Sequence, residues 1–281
     1  FEGFEGAFPG TLWTVGDETG AGTPAYWDDV NASFGGDDPH TGAWKGYCAG
    51  IGYAGDAANP TYQDNMAAYM QTALDLRGYA SATLKFWSKI PSVESCCDGA
   101  KAFIDGGLVW SSTSPQVSWS EVTVDLSAYV GSVHTLRFEF DSDNSVTFEG
   151  WYLDDILVTG VPAPSNDLCD GAIALTTGTR YTMSTTDATS INDPSPTCKP
   201  TFGKGVWFTY TAPSSGKVIV STCGSSFDTV LEVYRGLCRL LTPVAGGCND
   251  DNGPVCLGAA ASVVFDGVAG ATYYILAGGY N

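Results

Sequence analysis

The chain has 281 residues, a formal net charge of −19 and a pI near 4.1, with 15% charged residues, 12% aromatics and 35 glycines. Acid in such excess repels nucleic acid and anionic lipid and excludes those partner classes. The length suits two domains with separate cores, and abundant glycine without long helical periodicity points to an all-β protein rich in turns.

Nine cysteines in this setting favour an oxidising, extracellular location. Zinc is disfavoured, because Cys-x-x-Cys is absent and the only histidines are His40 and His134. No apolar run is long enough to span a bilayer, so no transmembrane segment is expected. The sequence begins at Phe1 without a charged, apolar leader, and the expectation is a secretion signal removed or never included.

In chain order, Asn65 to Leu76 contains helix formers yet also fits a strand before the turn at Arg77 and Gly78, and strand is the assignment. Val122, Val124 and Leu126 alternate with polar residues, as do Leu136, Phe138 and Phe140, the pattern of half-buried antiparallel strands. Asp141-Ser-Asp-Asn-Ser145 reads as an acidic turn. Gly150 to Val158 is apolar on both faces of one strand, so one of Asp154 and Asp155 points inward, where a carboxylate needs a cation or several N–H donors. Calcium is the preferred of the two, since oxygen ligands suit that hard ion. Gly160-Val-Pro-Ala-Pro-Ser-Asn166 interrupts the strand pattern with two prolines and separates a domain at 1–159 from one at 165–281 through a linker at 160–164. Downstream, Val206, Phe208 and Tyr210 alternate, then Val263 and Phe265, then Tyr273, Ile275 and Ala277. Ser184 to Pro200 is a Ser/Thr/Pro-rich loop, and Asn31-Ala-Ser33 fits an N-glycosylation acceptor.

Phe4-Glu5, Trp13, Trp27, Gly46-Tyr47, Leu84-Lys-Phe-Trp87 and Leu153-Asp-Asp-Ile156 resemble a MAM-like domain, a jelly-roll sandwich of extracellular proteins. That resemblance implies a structural calcium shared by Glu5 and Asp154 or Asp155. Ser165-Asn-Asp-Leu-Cys169, Val206-Trp-Phe-Thr-Tyr210, Phe227 to Tyr234, Asn249-Asp-Asp251 and Ala269 to Leu276 resemble the bacterial pre-peptidase C-terminal (PPC) domain, a jelly-roll module appended to secreted enzymes. It implies a non-catalytic role, with Asp228, Asp250 and Asp251 as matching acidic positions for calcium; a turn capped by its own side chains fits Asn249 to Gly253 as well. The expected fold is two antiparallel jelly-roll sandwiches in tandem. Against the PPC pattern the second domain lacks a last strand, leaving an open edge and a groove beside Tyr273, Ile275 and Ala277 for another chain's strand.

Among the cysteines, one of Cys96 and Cys97 is expected to join Cys48, since neighbours pair only under strain. Cys238 with Cys248 would tie a hairpin, leaving Cys169 with Cys198 and Cys223 with Cys256, at roughly 2 to 4 kcal/mol per bridge. Neither histidine lies beside a nucleophile motif, and Gly-x-Ser-x-Gly, His-Glu-x-x-His and phosphate-loop patterns are missing, so no enzyme is expected.

Two functional expectations follow. The first is a secreted structural or adhesive subunit polymerising head to tail into an extracellular fibril by strand donation, with a Phe-Glu-Gly arm as one donor. The second is an accessory carbohydrate- or substrate-binding module of a secreted hydrolase, with Trp44, Trp110 and Trp119 available as sugar platforms.

Overall fold

Strict two-residue alternation over most of the chain leaves the backbone one economical solution, stacked antiparallel sheets that hide one face of each strand. A computed structural model describes residues 1–19 and 24–280. The chain divides into two compact units, Phe1–Arg77 with Ser81–Gly160, and Gly78–Ala80 with Val161–Asn281. Among the described residues there is no α-helix, only 3-10 turns at Ser127–Tyr129 and Cys169–Gly171.

The first unit runs through β1 (Thr14–Asp17), β2 (Tyr26–Asn31), β3 (Trp44–Ile51), the small hairpin β4 (Ala54–Asp56) and β5 (Asn59–Thr61), β6 (Ala67–Asp75), β7 (Tyr79–Ser92), β8 (Gly99–Ile104), β9 (Gly107–Ser112), β10 (Gln116–Asp125), β11 (Val133–Asp141) and β12 (Gly150–Pro162). Two five-stranded sheets result, ordered β1-β6-β11-β8-β9 and β10-β7-β12-β3-β2. The segment with ambiguous propensity is strand β6, because Ala68 and Met70 alternate into the core while β11 holds the other side of the ladder. Leu136, Phe138 and Phe140 of β11 are buried there. Rings dominate the interior: Trp151 packs edge-on against Trp27 at 5.1 Å and its indole N–H donates to Ser88 Oγ at 3.0 Å. Pro162 ends β12, a place where the missing N–H costs no ladder bond.

The second unit contains β13 (Ile173–Ala174), β14 (Phe202–Thr211), β15 (Gly216–Ser221), β16 (Thr229–Leu237), β17 (Leu240–Asn249), β18 (Ser262–Gly267) and β19 (Thr272–Tyr280). Five strands form one sheet, β13-β14-β19-β16-β17, and only β15 and β18 form the other. The inner face of the larger sheet carries Val206, Phe208, Leu231, Val233, Tyr273 and Ile275, which pack with Val263 and Phe265 of β18.

This order corrects one expectation. The strand holding Tyr273, Ile275 and Ala277 is not an open edge. It is central, with Phe208 opposite Ile275 on one side and Val233 opposite Ile275 on the other. Burial of Tyr273 and Ile275 at the middle of the sheet leaves no main-chain group of theirs for another chain. Among the described residues the edge strands of this unit are β13 and β17 in the larger sheet and β15 and β18 in the smaller.

Candidate functional site

β15 bonds β18 from Gly216 opposite Gly267 to Ser221 opposite Ser262, and among the described residues its other edge meets no strand. Residues 180–184, which run without strand pairing, line the same groove as β15. The gap between them is a groove of about 770 Å³. Its floor comes from the larger sheet, through Val206, Phe208, Leu231, Ile275 and Ala277. One wall is Val218 and Val220 of β15, both half-buried, and the other carries Tyr181 and Met183, with Tyr181 edge-on to Phe208 at 5.4 Å. Phe227 stands on the rim, 40% exposed. Hydroxyls from Thr176, Thr177, Thr179 and Ser225 line the mouth. The charged residues in the lining are Arg180 and Lys217, with no carboxylate among them. Arg180 reaches the Cys223 carbonyl at 3.4 Å and Lys217 pairs with Asp266 at 2.8 Å. Ile275 and Ala277, expected beside an open edge, instead floor this groove; Tyr273 is not part of it. Composition gave no sign of the groove, because it exists only through the unequal strand counts of the two sheets.

Of the carboxylates expected to share calcium in the first unit, Asp154 and Glu5 accept main-chain donors and Asp155 accepts side-chain ones. Asp155 adopts φ +47, and this break in the strand turns both aspartates toward the segment 40–41. Asp154 accepts N–H bonds from His40 at 2.9 Å, Thr41 at 3.2 Å and Asp155 at 2.8 Å. Burial pushes its carboxyl up to about 6 while those N–H groups pull the other way. Asp155 holds the His40 ring at 2.6 Å and the Thr41 hydroxyl. Glu5 accepts from the Ala43 and Trp44 amides at 2.7 and 2.9 Å. Gly42, at φ +66, is required here, since a Cβ would collide with the Glu5 carboxylate. Among the described residues the three are not grouped as a set of possible metal ligands.

Asp228, Asp250 and Asp251 do come together, with one oxygen from each within 4.8 Å of the others. Lys199 pairs with Asp250 at 2.8 Å, while Oδ1 of Asp228 and Oδ1 of Asp250 are buried without a hydrogen bond. Burial, then the charges of Asp251 and Asp250, raise the Asp228 pKa. A second acidic group, Glu94, Asp98 and Asp143, joins residues whose separation in sequence hid them.

The cysteine pairing departs from expectation at three bridges. Cys48 is free and buried on β3, its thiol pushed up to about 12 by burial, and Cys96 bonds Cys97 on an exposed turn instead. Cys238 lies in the turn before β17 and Cys248 near the far end of that strand, on the order of 30 Å away for an extended chain, so the two cannot meet. Cys169 bonds Cys238 and Cys198 bonds Cys248, each with Cα atoms 5.7 Å apart. Cys223 bonds Cys256.

One arrangement imitates a catalytic triad: Ser132 Oγ lies 2.8 Å from His134 Nε2, and His134 Nδ1 lies 2.6 Å from Asp105. The Tyr129 carbonyl, 2.6 Å from the same Nε2, spoils it. The Tyr129 carbonyl and the Ser132 hydroxyl thus compete for the same ring nitrogen. The tryptophans also form no shared platform. Trp110 is a partly buried ring stacked on Trp151, Trp119 donates its indole N–H to the Asp38 carbonyl, and Trp44 and Trp119 are on strands separated by β7 and β12.

No family model matches the chain. A stretch of 62 residues, 22% of the chain, is 37% identical to Bacillopeptidase F of Bacillus subtilis (strain 168), and the match spans 4% of that protein. Among solved structures, the K1 cleaved adhesin domain of Lys-gingipain from Porphyromonas gingivalis W83 aligns over 57% of this chain and 96% of its own, at TM-score 0.42 and 19% identity. The family 11 carbohydrate-binding module of a cellulosomal cellulase of Clostridium thermocellum aligns over 57% and 93%, at TM-score 0.35 and 15% identity. At these scores the superpositions carry no argument about function.

Asp193 gives the second unit a dependence on pH. It accepts the Trp207 indole N–H at 2.7 Å, and its other oxygen is buried without a partner where a Cβ on residue 205 would strike it, which is why that position is glycine. Burial pushes its pKa up to about 7 from 3.8. A raised carboxyl binds its proton in the folded state first, so its contribution is intact at low pH and is lost as pH rises from about 4 through about 7. Asp193→Asn is expected to raise Tm at pH 8 and change it little at pH 4, as read by thermal melts of both proteins at the two pH values.

Proposed function

We propose that this chain is a non-catalytic binding and adhesion protein of the extracellular space, and that its second unit grips an extended polymer in the groove beside β15. The observation that carries the reading is the groove itself, with an apolar floor, hydroxyl-lined mouth and an unpaired strand edge along its length. Core residues left under an incomplete cover favour a ligand that supplies the missing contact. The disulfides support an oxidising location, and no helix is long and apolar enough to cross a membrane. The short match to a small fraction of a long peptidase supports the role of an accessory module attached to a secreted hydrolase. The PPC-like resemblance of residues 165–281 and the division at 160–164 belong to the same proposal.

The test is retention of the intact chain on insoluble polysaccharides and on an immobilised unfolded polypeptide. Binding to one of them, weakened about tenfold by Phe227→Ala with an unchanged melting temperature, is the expected outcome. Retention on neither, or a variant that binds as well as the parent, would contradict it.

Asp228, Asp250 and Asp251 would hold a structural calcium, since the partnerless oxygens of Asp228 and Asp250 suit a hard cation. Millimolar calcium should then raise Tm by a few degrees and a chelator reverse it. Asp251→Asn should abolish that response; a melt indifferent to calcium would remove the ion from the account.

A further inference from the structure

Side chains of β3, β7, β10 and β12 in the first unit converge on one dipeptide, Asp38-Pro39, in the connection between β2 and β3. Upstream of it, the Asp37 carboxylate pairs with Lys89 of β7 at 2.8 Å, and the Asp37 carbonyl accepts the buried Lys45 ammonium of β3. Downstream, the His40 N–H donates to Asp154 of β12 at 2.9 Å, while the His40 ring meets Asp155 at 2.6 Å and stacks on Trp87 of β7 at 3.7 Å. Between these two clamps the Asp38 carbonyl accepts the indole N–H of Trp119, on β10, at 3.0 Å. The Asp38 side chain itself is exposed. A peptide bond is therefore fixed on both flanks, with a donor on its carbonyl oxygen and a carboxyl beside it.

That combination has a definite chemistry. An aspartyl carboxyl can close a five-membered ring onto its own main-chain carbonyl carbon, and a proline nitrogen, a tertiary amide without a hydrogen, leaves more readily than an ordinary peptide nitrogen. A donor fixed near the carbonyl oxygen stabilises the charge that gathers there as the ring closes, and clamped flanks remove the entropy of finding that geometry. We propose that Asp38–Pro39 is a self-cleavage site of this chain. The Asp38 carboxyl oxygen bonds to the Asp38 carbonyl carbon, the bond from that carbon to the Pro39 nitrogen breaks, and the carboxyl proton passes to the nitrogen. A cyclic anhydride is left at Asp38 and a free amine at Pro39; water then opens the anhydride, so the net change is hydrolysis of one peptide bond. The event is a single turnover on the chain itself and does not depend on the groove of the second unit. Both pieces stay in place afterwards, because β1 remains paired with β6 and β2 with β3. A second Asp-Pro bond, Asp193–Pro194, lacks this freedom: Oδ1 of Asp193 holds the Trp207 indole N–H at 2.7 Å and Oδ2 is buried.

The intact protein, purified with protease inhibitors, is incubated in mildly acidic buffer, native and in denaturant, and followed by denaturing gel, intact mass and amino-terminal sequencing. The expected result is a new amino terminus at Pro39-His40-Thr41, formed at a rate independent of protein concentration and about a hundredfold faster in the native chain than in denaturant. Asp193–Pro194 should stay whole in the native chain, and the two pieces should co-elute on native gel filtration. Asp38→Ala should abolish the cut, and Trp119→Phe, which keeps a ring but removes the indole N–H, should slow it about a hundredfold. If Trp119→Phe also lowers the melting temperature, the ratio of native to denatured rates at Asp38–Pro39 in the parent chain decides instead. Cleavage in denaturant only, equal cleavage at both Asp-Pro bonds of the native chain, a cut that persists in Asp38→Ala, or a stable Trp119→Phe that cleaves at the parent rate would overturn the proposal.

Discussion

Covering the apolar inner face of the five-stranded sheet in the second unit is the constraint on which the rest depends. A sheet needs a second layer over its buried face. Here β15 and β18 cover part of it, and Tyr181 and Met183, on a segment without strand pairing, lean over what remains. The result is neither a closed core nor a flat surface. A groove with an apolar floor, a hydroxyl-lined mouth and unsatisfied main-chain edges is what remains when a sandwich stops short of equal layers.

The first unit solves the same problem completely. Two five-stranded sheets enclose a continuous set of rings, and the acids at its sheet corner are neutralised by main-chain N–H groups of residues 40–44. Glu5 and Asp154, both bonded to residues 40–44, fasten the first residues of the chain to the last strand of the unit. His40 adds to this seam by stacking on Trp87 at 3.7 Å while bonding Asp155. The contrast between the units gives each a different part in the proposed function: one is closed and stable by its own residues, the other offers unsatisfied groups to a ligand.

Alternation made the strands legible, because Leu136, Phe138 and Phe140, or Val206 and Phe208, can face only one way when every second residue is apolar. What alternation cannot convey is order across a sheet. The strand from Thr272 to Tyr280 reads the same in sequence whether it ends a sheet or lies at its centre, and its central place follows only from partners in β14 and β16. The turn at Asp155 was hidden for a related reason: a single left-handed residue inside an apolar run leaves no mark in the pattern, yet it sends two neighbouring carboxylates to one loop. Cysteine pairing failed for want of distances, since the length of β17 forbids the bridge that spacing favoured. Asp228, Asp250 and Asp251 were legible because two of them are adjacent; Glu94, Asp98 and Asp143 were not, because the third comes from a different loop.

Amide hydrogen exchange across β15 and residues 180–184, measured on the intact protein free and with its polymer bound, tests the central claim most directly. The account predicts that the outward amides of Lys217 to Ser221 and those of 180–184 exchange rapidly in the free chain and become protected on occupancy, while β12 and β19 are unaltered. Protection already complete in the free chain, or no change when the polymer binds, would contradict it.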